Sequence, residues 1–274
     1  MAPQAPMISP SRFALGGKRH RYWLSVPLVL LLLLILSLAA STALYAARGG
    51  NLTGDWSRAS RAATGQAPDP AKTLEPVIQV YAARAFGWRG AFGVHMWIAL
   101  KPENATTFTR AEVMGFGVQN GARAVRVAPG IADGQWFGNP PEVIAEWRGG
   151  EAGRLIPRIL KAAADYADGD RYTIWPGPNS NSFIAAIARD MPELRLALPP
   201  NALGKDYLGP RRLFAPAPSG TGWQISLWGV FGVMLARDEG IEINILGFVF
   251  GIDPGGMAIK LPGFGAISFN GSRT

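Results

Sequence analysis

The sequence predicts an α+β fold, in which one domain with a mainly antiparallel sheet and a few helices follows an N-terminal transmembrane helix. Three observations predict it. Residues 23–47 carry no charge, short β-branched and aromatic runs bounded by Gly and Pro recur from residue 77 onward, and two later segments space their apolar residues three and four apart.

Residues 23–47 read WLSVPLVLLLLLILSLAASTALYAA, longer than the roughly 20 apolar residues that cross a hydrocarbon core of about 30 Å as a helix. Arg12, Lys18, Arg19 and Arg21 precede this run, against Arg48, Arg58 and Arg61 after it. A basic cluster directly at the N-terminal boundary directs that end to the cytoplasm. The reading is therefore a basic cytoplasmic head at 1–22, a membrane span at 23–47 and an extracytoplasmic domain, placed in a bacterial inner membrane with the domain in the periplasm. Ser41 and Ala43 would suit a signal-peptide cleavage site, but the apolar run exceeds a typical h-region of about 7–15 residues, which favours an uncleaved anchor.

Residues 48–76 shift to Gly, Ser, Ala, Arg, Asp and Pro with no periodic apolar face and read as a tether. The domain then spans 77–274. Strands are expected at 77–81, at 93–100 with His95 inside it, at 107–118 and at 121–127. Leu155, Ile156, Ile159, Leu160, Ala163, Tyr166 and Ala167 share one helical face, which predicts a helix over 153–168 with Pro157 tolerable only near its first turn. A strand at 171–175, a turn built on Pro176, Gly177 and Pro178, and a helix over 180–189 follow. Residues 192–219 are proline-rich and irregular, and 223–269 hold two or three strands, with a hairpin turn at 237–240. Exposed Trp and Gly residues in these strands could form a binding face, with core packing as the default assignment.

Composition narrows the chemistry. The net charge is +8, but the N-terminal head supplies four of the 27 basic residues, and the remaining 23 face 19 acidic ones. No basic stripe with interleaved aromatics is present, so nucleic acid is not an expected partner. The sequence contains no cysteine, which excludes disulfides, iron–sulfur clusters, thiolate zinc and a cysteine nucleophile. His20 and His95 are the only histidines, so a multi-histidine metal site is excluded, and no cofactor is expected. Asp165, Asp168 and Asp170 lack the spacing and closing Glu of a calcium loop and read as a solvated helix end. Gly115, Phe116 and Gly117 precede no helix in the register of a dinucleotide fingerprint.

The segment 175–183, WPGPNSNSF, forces a tight entry into a helix and puts polar residues at its N-terminus. Backbone N–H groups there favour negative charge, so Ser180 is the candidate nucleophile, with Asn179, Asn181 and Ser182 around it. A serine needs a base, and His95 is the only imidazole of the domain. The same residues also have simpler roles: His95 as a hydrogen-bonded core histidine, and Asn179 or Ser180 as a helix cap.

The order His95, then Asn179, Ser180 and Phe183 opening a later helix, resembles the circularly permuted papain-like proteins, which include NlpC-type amidases and lecithin:retinol acyltransferase relatives. That resemblance implies a nucleophile at Ser180, where the family carries cysteine, and a base at His95. A third polar group would orient the imidazole. Glu112 is the candidate on the next strand, with Glu103 and Gln119 behind it. HMWIALKP, WPGPNSNSF and the Gly-rich C-terminal strands are also similar to an uncharacterised bacterial group, domain of unknown function family 3750, which implies no activity. Two functions follow. One is a non-catalytic envelope module that binds a partner protein, lipid or glycan, favoured by the missing cysteine and the Gly-rich apolar C-terminal strands. The other is a serine-variant amidase or acyltransferase acting on an envelope substrate.

Overall fold

The computed structural model describes residues 19–269, with side chains from residue 27, so most of the basic head, residues 1–18, lies outside the described residues. The chain divides into two compact units, Met1–Leu36 and Ser37–Thr274. The described part of the first is the opening of α1 (Arg19–Ala47), whose stretch Pro27–Ala47 is long and apolar enough to cross a membrane. Among the described residues the fold is α+β, with three α-helices and two antiparallel sheets.

In the second unit, a five-stranded sheet is ordered β4-β3-β2-β1-β5, from β1 (Val77–Arg84), β2 (Val94–Lys101), β3 (Thr109–Val113), β4 (Val125–Pro129) and β5 (Pro141–Arg148). Strands β1 and β2 are buried along nearly their whole length, which explains their continuous apolar runs. Alternation assigns their side chains to opposite faces. Ile78, Val80, Met96, Ile98 and Leu100 pack against α2 (Gly149–Ala164) and α3 (Ser180–Asp190), through Leu155, Ile156, Ile159, Phe183, Ile184 and Ile187. Tyr81, Ala83, Trp97 and Ala99 form a second cluster on the other face, with Phe108 and Ala132.

Several expectations change. No strand forms at 171–175, because Thr173 N–H donates to Pro178 O at 2.7 Å and this short stretch folds back on itself instead of pairing. Strand β5 was not anticipated. Pro157 sits in the middle of α2; the residue four before it is Gly153, and both are exposed, so the carbonyl left without an N–H partner is open to water. The stretch 48–76, read as a tether, forms no long element, but part of it is pinned to the domain. Asp133 accepts from Gln66 N–H at 2.7 Å and from the Thr64 hydroxyl at 3.2 Å, and Ala67 packs against the second cluster.

The C-terminal region holds more strands than its sequence suggests. A seven-stranded meander runs in sequence order through β6 (Phe214–Pro216), β7 (Gly222–Leu227), β8 (Phe231–Ala236), β9 (Gly240–Ile245), β10 (Phe248–Asp253), β11 (Ala258–Leu261) and β12 (Gly265–Ser268). Trp228 with Gly229, and Leu246 with Gly247, turn two of its hairpins with positive φ at both positions, the geometry of type I′ turns. The Ser226 hydroxyl and the Asn244 amide oxygen accept from the N–H groups of Gly229 and Gly247, at 3.1 and 2.7 Å. Trp223, assigned to the core from sequence, is exposed, as are Ile225, Val233, Leu235, Ile241 and Ile243 on the same face.

The opposite face carries the buried polar groups. Lys205 and Glu242, 1% and 2% exposed, form an ion pair at 2.5 Å, Lys260 Nζ reaches the other Glu242 oxygen at 2.6 Å, and Lys205 also contacts Asp206 at 3.1 Å. Asn244 Nδ2 donates to Asp206 Oδ2 at 2.9 Å. Arg189 of α3 extends the network to Gln224 of β7 at 3.1 Å, and burial lowers its pKa to about 10. Removing the shared carboxylate leaves two buried ammonium groups short of charge, so Glu242→Ala should destabilise the fold by about 3–5 kcal/mol. Thermal melting of the full chain in detergent should show a drop on the order of 10 °C, and an unchanged midpoint would mean that the network contributes nothing.

Candidate functional site

Two polar constellations contain the residues singled out from sequence, and the five-stranded sheet lies between them. The first is the entry to α3. Asn179 caps the helix, its Oδ1 accepting from the N–H groups of Asn181 at 3.0 Å and Ser182 at 3.1 Å, and Ser182 Oγ accepts in return from Asn179 N–H at 2.8 Å. This reciprocal capping box satisfies donors that the first helical turn would otherwise leave open. The Asn179 amide also donates to Ile174 O and Leu203 O, and Asn181 Nδ2 to Val94 O and Leu203 O, at distances from 2.8 to 3.2 Å. Gly204 is required here: with φ +98°, a Cβ would lie 2.3 Å from the Asn179 amide. Ser180 is buried and makes no side-chain hydrogen bond among the described residues.

The second constellation lies on the other face, where His95 alternates with Met96 and pairs with Ala83 of the Trp97 cluster. His95 Nε2 is 3.0 Å from Glu112 Oε2. The imidazole stacks on Trp136 with centroids 3.5 Å apart and planes 8° from parallel. Arg110 donates to the same Glu112 oxygen at 3.0 Å, and its guanidinium lies 4.3 Å from the Trp97 ring centroid. Trp97 Nε1 donates to Ala132 O at 2.7 Å, fixing the segment that carries Trp136.

His95 and Ser180 are therefore not brought together. Met96, Ile98 and Leu100 of β2 pack on α3, while His95 and Trp97 face away from it. Of the three acceptors considered for the imidazole, the structure brings Glu112 to it. Glu103 lies beyond the end of β2, and Gln119 in the short helical turn Val118–Asn120. Sequence reasoning missed Arg110 and Trp136. Arg110 could have been found from the alternation of Arg110 and Glu112 with Ala111 and Val113, which puts the two polar groups on one face of β3. Nothing local marks Trp136, which lies in a segment between strands.

The charges follow from this packing. Burial pushes the His95 pKa down more than Glu112 raises it. For Glu112, burial pushes the pKa up, but His95 and Arg110 outweigh it and hold the carboxyl below its usual value. A neutral imidazole thus donates from Nε2 to a carboxylate, and Nδ1 takes no hydrogen bond from the described protein. Beside Trp136, an open cleft of about 290 Å³ is lined by Asn51, Asp55, Arg58, Phe86, Phe137 and Asn139 among others, and Tyr45 of α1 reaches its Asn139 at 3.1 Å. Among the described residues no group of three or more His, Asp or Glu could hold a metal ion. The Asp cluster is instead paired, Asp165 with Lys161, Asp168 with Arg171 and Asp170 with Arg123.

Both pKa values are depressed on folding, so the unfolded chain binds more protons and stability falls on acidification. The loss begins below the ordinary His value of 6.5 for His95 and below 4.5 for Glu112. The melting temperature should drop between about pH 7 and about pH 5, and His95→Gln should remove part of that drop. A variant with the parent's full pH slope would show that His95 does not carry it.

No curated protein and no solved structure matches the chain. Residues 75–207, which hold the five-stranded sheet, α2, α3 and both constellations apart from the cover contributed by residues 48–74, match one protein family, and the match ends before β6. Over those residues the chain matches the family described as Protein of unknown function (DUF3750).

Proposed function

We propose that this chain is a membrane-anchored, non-catalytic module of the bacterial cell envelope that binds a partner protein, lipid or glycan. The observation that carries this reading is the sheet between His95 and Ser180. A serine hydroxyl needs a base within hydrogen-bonding reach to become a nucleophile, and the imidazole on the far face is committed to Glu112 and Trp136. The residues around Ser180 are occupied in capping α3 and in tying it to Val94 and Leu203. In this reading α1 is the anchor, with the N-terminus in the cytoplasm and the domain in the periplasm, supported by the basic cluster before the apolar run. The cleft lined by Phe137 also takes in Gly49, two residues beyond the end of α1, and suits a binding role.

Two measurements test this. A fluorophosphonate that reports activated serines should leave the full chain unlabelled. Labelling that disappears in Ser180→Ala would instead restore the serine-variant amidase or acyltransferase reading. In melting experiments, Asn179→Ala should lose about 1–3 kcal/mol, because it removes the cap and strands buried carbonyls. Ser180→Ala should stay within about 0.5 kcal/mol, since no hydrogen bond is lost.

A further inference from the structure

The seven-stranded sheet is built inside out for a protein surrounded by water. Register and alternation put every outward side chain from β6 to β12 in an apolar class, with Trp223, Ile225, Val233, Ile243, Ile252 and Ile259 all at least 40% exposed. The inward face of the same strands carries Gln224, Glu242, Asn244 and Lys260, all buried. Seven strands at about 4.8 Å and six residues at about 3.3 Å give a face on the order of 600 Å², at the upper limit of the largest apolar patch on a typical soluble monomer. An antiparallel sheet exposed to water shows the opposite alternation.

The occupant of this face follows from where α1 is attached. Within the second unit, the Ser37 hydroxyl donates to Pro262 O at 2.8 Å, in the turn between β11 and β12, and the Ser41 hydroxyl donates to Ala91 O at 2.6 Å. Gly263 makes this approach possible, because a Cβ there would lie 2.7 Å from the Ser41 side chain. Ser37 and Ser41 both belong to the C-terminal half of the apolar stretch Pro27–Ala47. A helix that spans a bilayer over this stretch therefore brings the β11 to β12 turn, and the sheet with it, to the lipid.

We propose that the outer face of the seven-stranded sheet docks flat on the bilayer that α1 spans, with its side chains in contact with lipid. The proposal rests on the reading of α1 as an anchor, and it names lipid as what the module binds. The sheet does not cross the membrane. The unpaired backbone edges of β6 and β12 could not be satisfied in hydrocarbon, and an immersed face leaves both edges in the interface. Arg211 and Arg212, exposed just before β6, stand where anionic headgroups would meet them.

The absence of cysteine makes single-site labelling clean. Ile243→Cys, Ile225→Cys and, as a reference on α2, Arg158→Cys are each labelled with a nitroxide in the full chain. The labelled chains are reconstituted into phosphatidylcholine and phosphatidylglycerol vesicles, and collision with oxygen is compared with collision with a water-soluble nickel chelate. Positions 243 and 225 should favour oxygen, and position 158 nickel, with the ratio reversed severalfold. Either outer-face site suffices if the other variant does not fold. Nickel accessibility at 243 and 225 equal to that at 158 overturns the proposal, as does spin–spin broadening there that vanishes on dilution with unlabelled chain, the signature of a second copy covering the face. A chain that fails to float with the vesicles removes the anchor and the proposal with it, whereas a floating chain with water-exposed labels overturns the sheet proposal alone.

Discussion

Glu242 holds the architecture in its unusual orientation. One carboxylate, buried beneath β9, accepts from Lys205 in the segment after α3 and from Lys260 on β11. Buried charges are tolerated only when paired and hydrogen-bonded, so strands whose inward positions carry these residues have one arrangement that leaves no charge stranded. That arrangement fixes which face of the meander looks inward. Arg189 carries the same constraint into α3 by bonding Lys205 O at 2.8 Å and Gln224 at 3.1 Å, so the meander and the helical layer are joined through polar contacts.

The five-stranded sheet performs a different task, because its two faces separate chemistries that the sequence juxtaposes. Asn181 reaches Val94 O while His95, the next residue, faces away. A one-residue step along a strand moves a side chain through the full thickness of a sheet, and this step divides the cap of α3 from the ring stack on Trp136. The imidazole is held on three sides, by Glu112, Trp136 and the Trp97 layer, and it is burial, against the opposing pull of the Glu112 carboxylate, that lowers its pKa.

Much of the local structure was legible. The long apolar helix, β1, β2 and the amphipathic faces of α2 and α3 follow from composition and periodicity, and the Asn179 cap follows from residue type. The pairing of His95 with Glu112 was within reach as one of three options. What could not be read depended on distant contacts. Strand β5 has exposed and half-buried residues along most of its length and declares itself only by pairing with β1. The hairpin turns at Trp228 and Leu246 lack the Asn or Asp that usually marks positive φ, so the meander looked like fewer strands. The outward position of Trp223 was misread because apolar residues default to the core, and nothing in a strand's own alternation says which face will be covered.

The attachment of α1 has a mechanical meaning. Ser37, Ser41 and Tyr45 contact the domain at successive four-residue steps along one helical face, so the C-terminal part of the helix acts as an axle keyed to the domain and not as a leash. Helix phase over residues 37–47 is thereby locked to the β11 to β12 turn and to Asn139. One residue inserted between Ser41 and Tyr45 would turn Ser37 and Ser41 by about 100° away from the face that Tyr45 keeps toward Asn139, so the contacts at the two ends of this segment could no longer be made together.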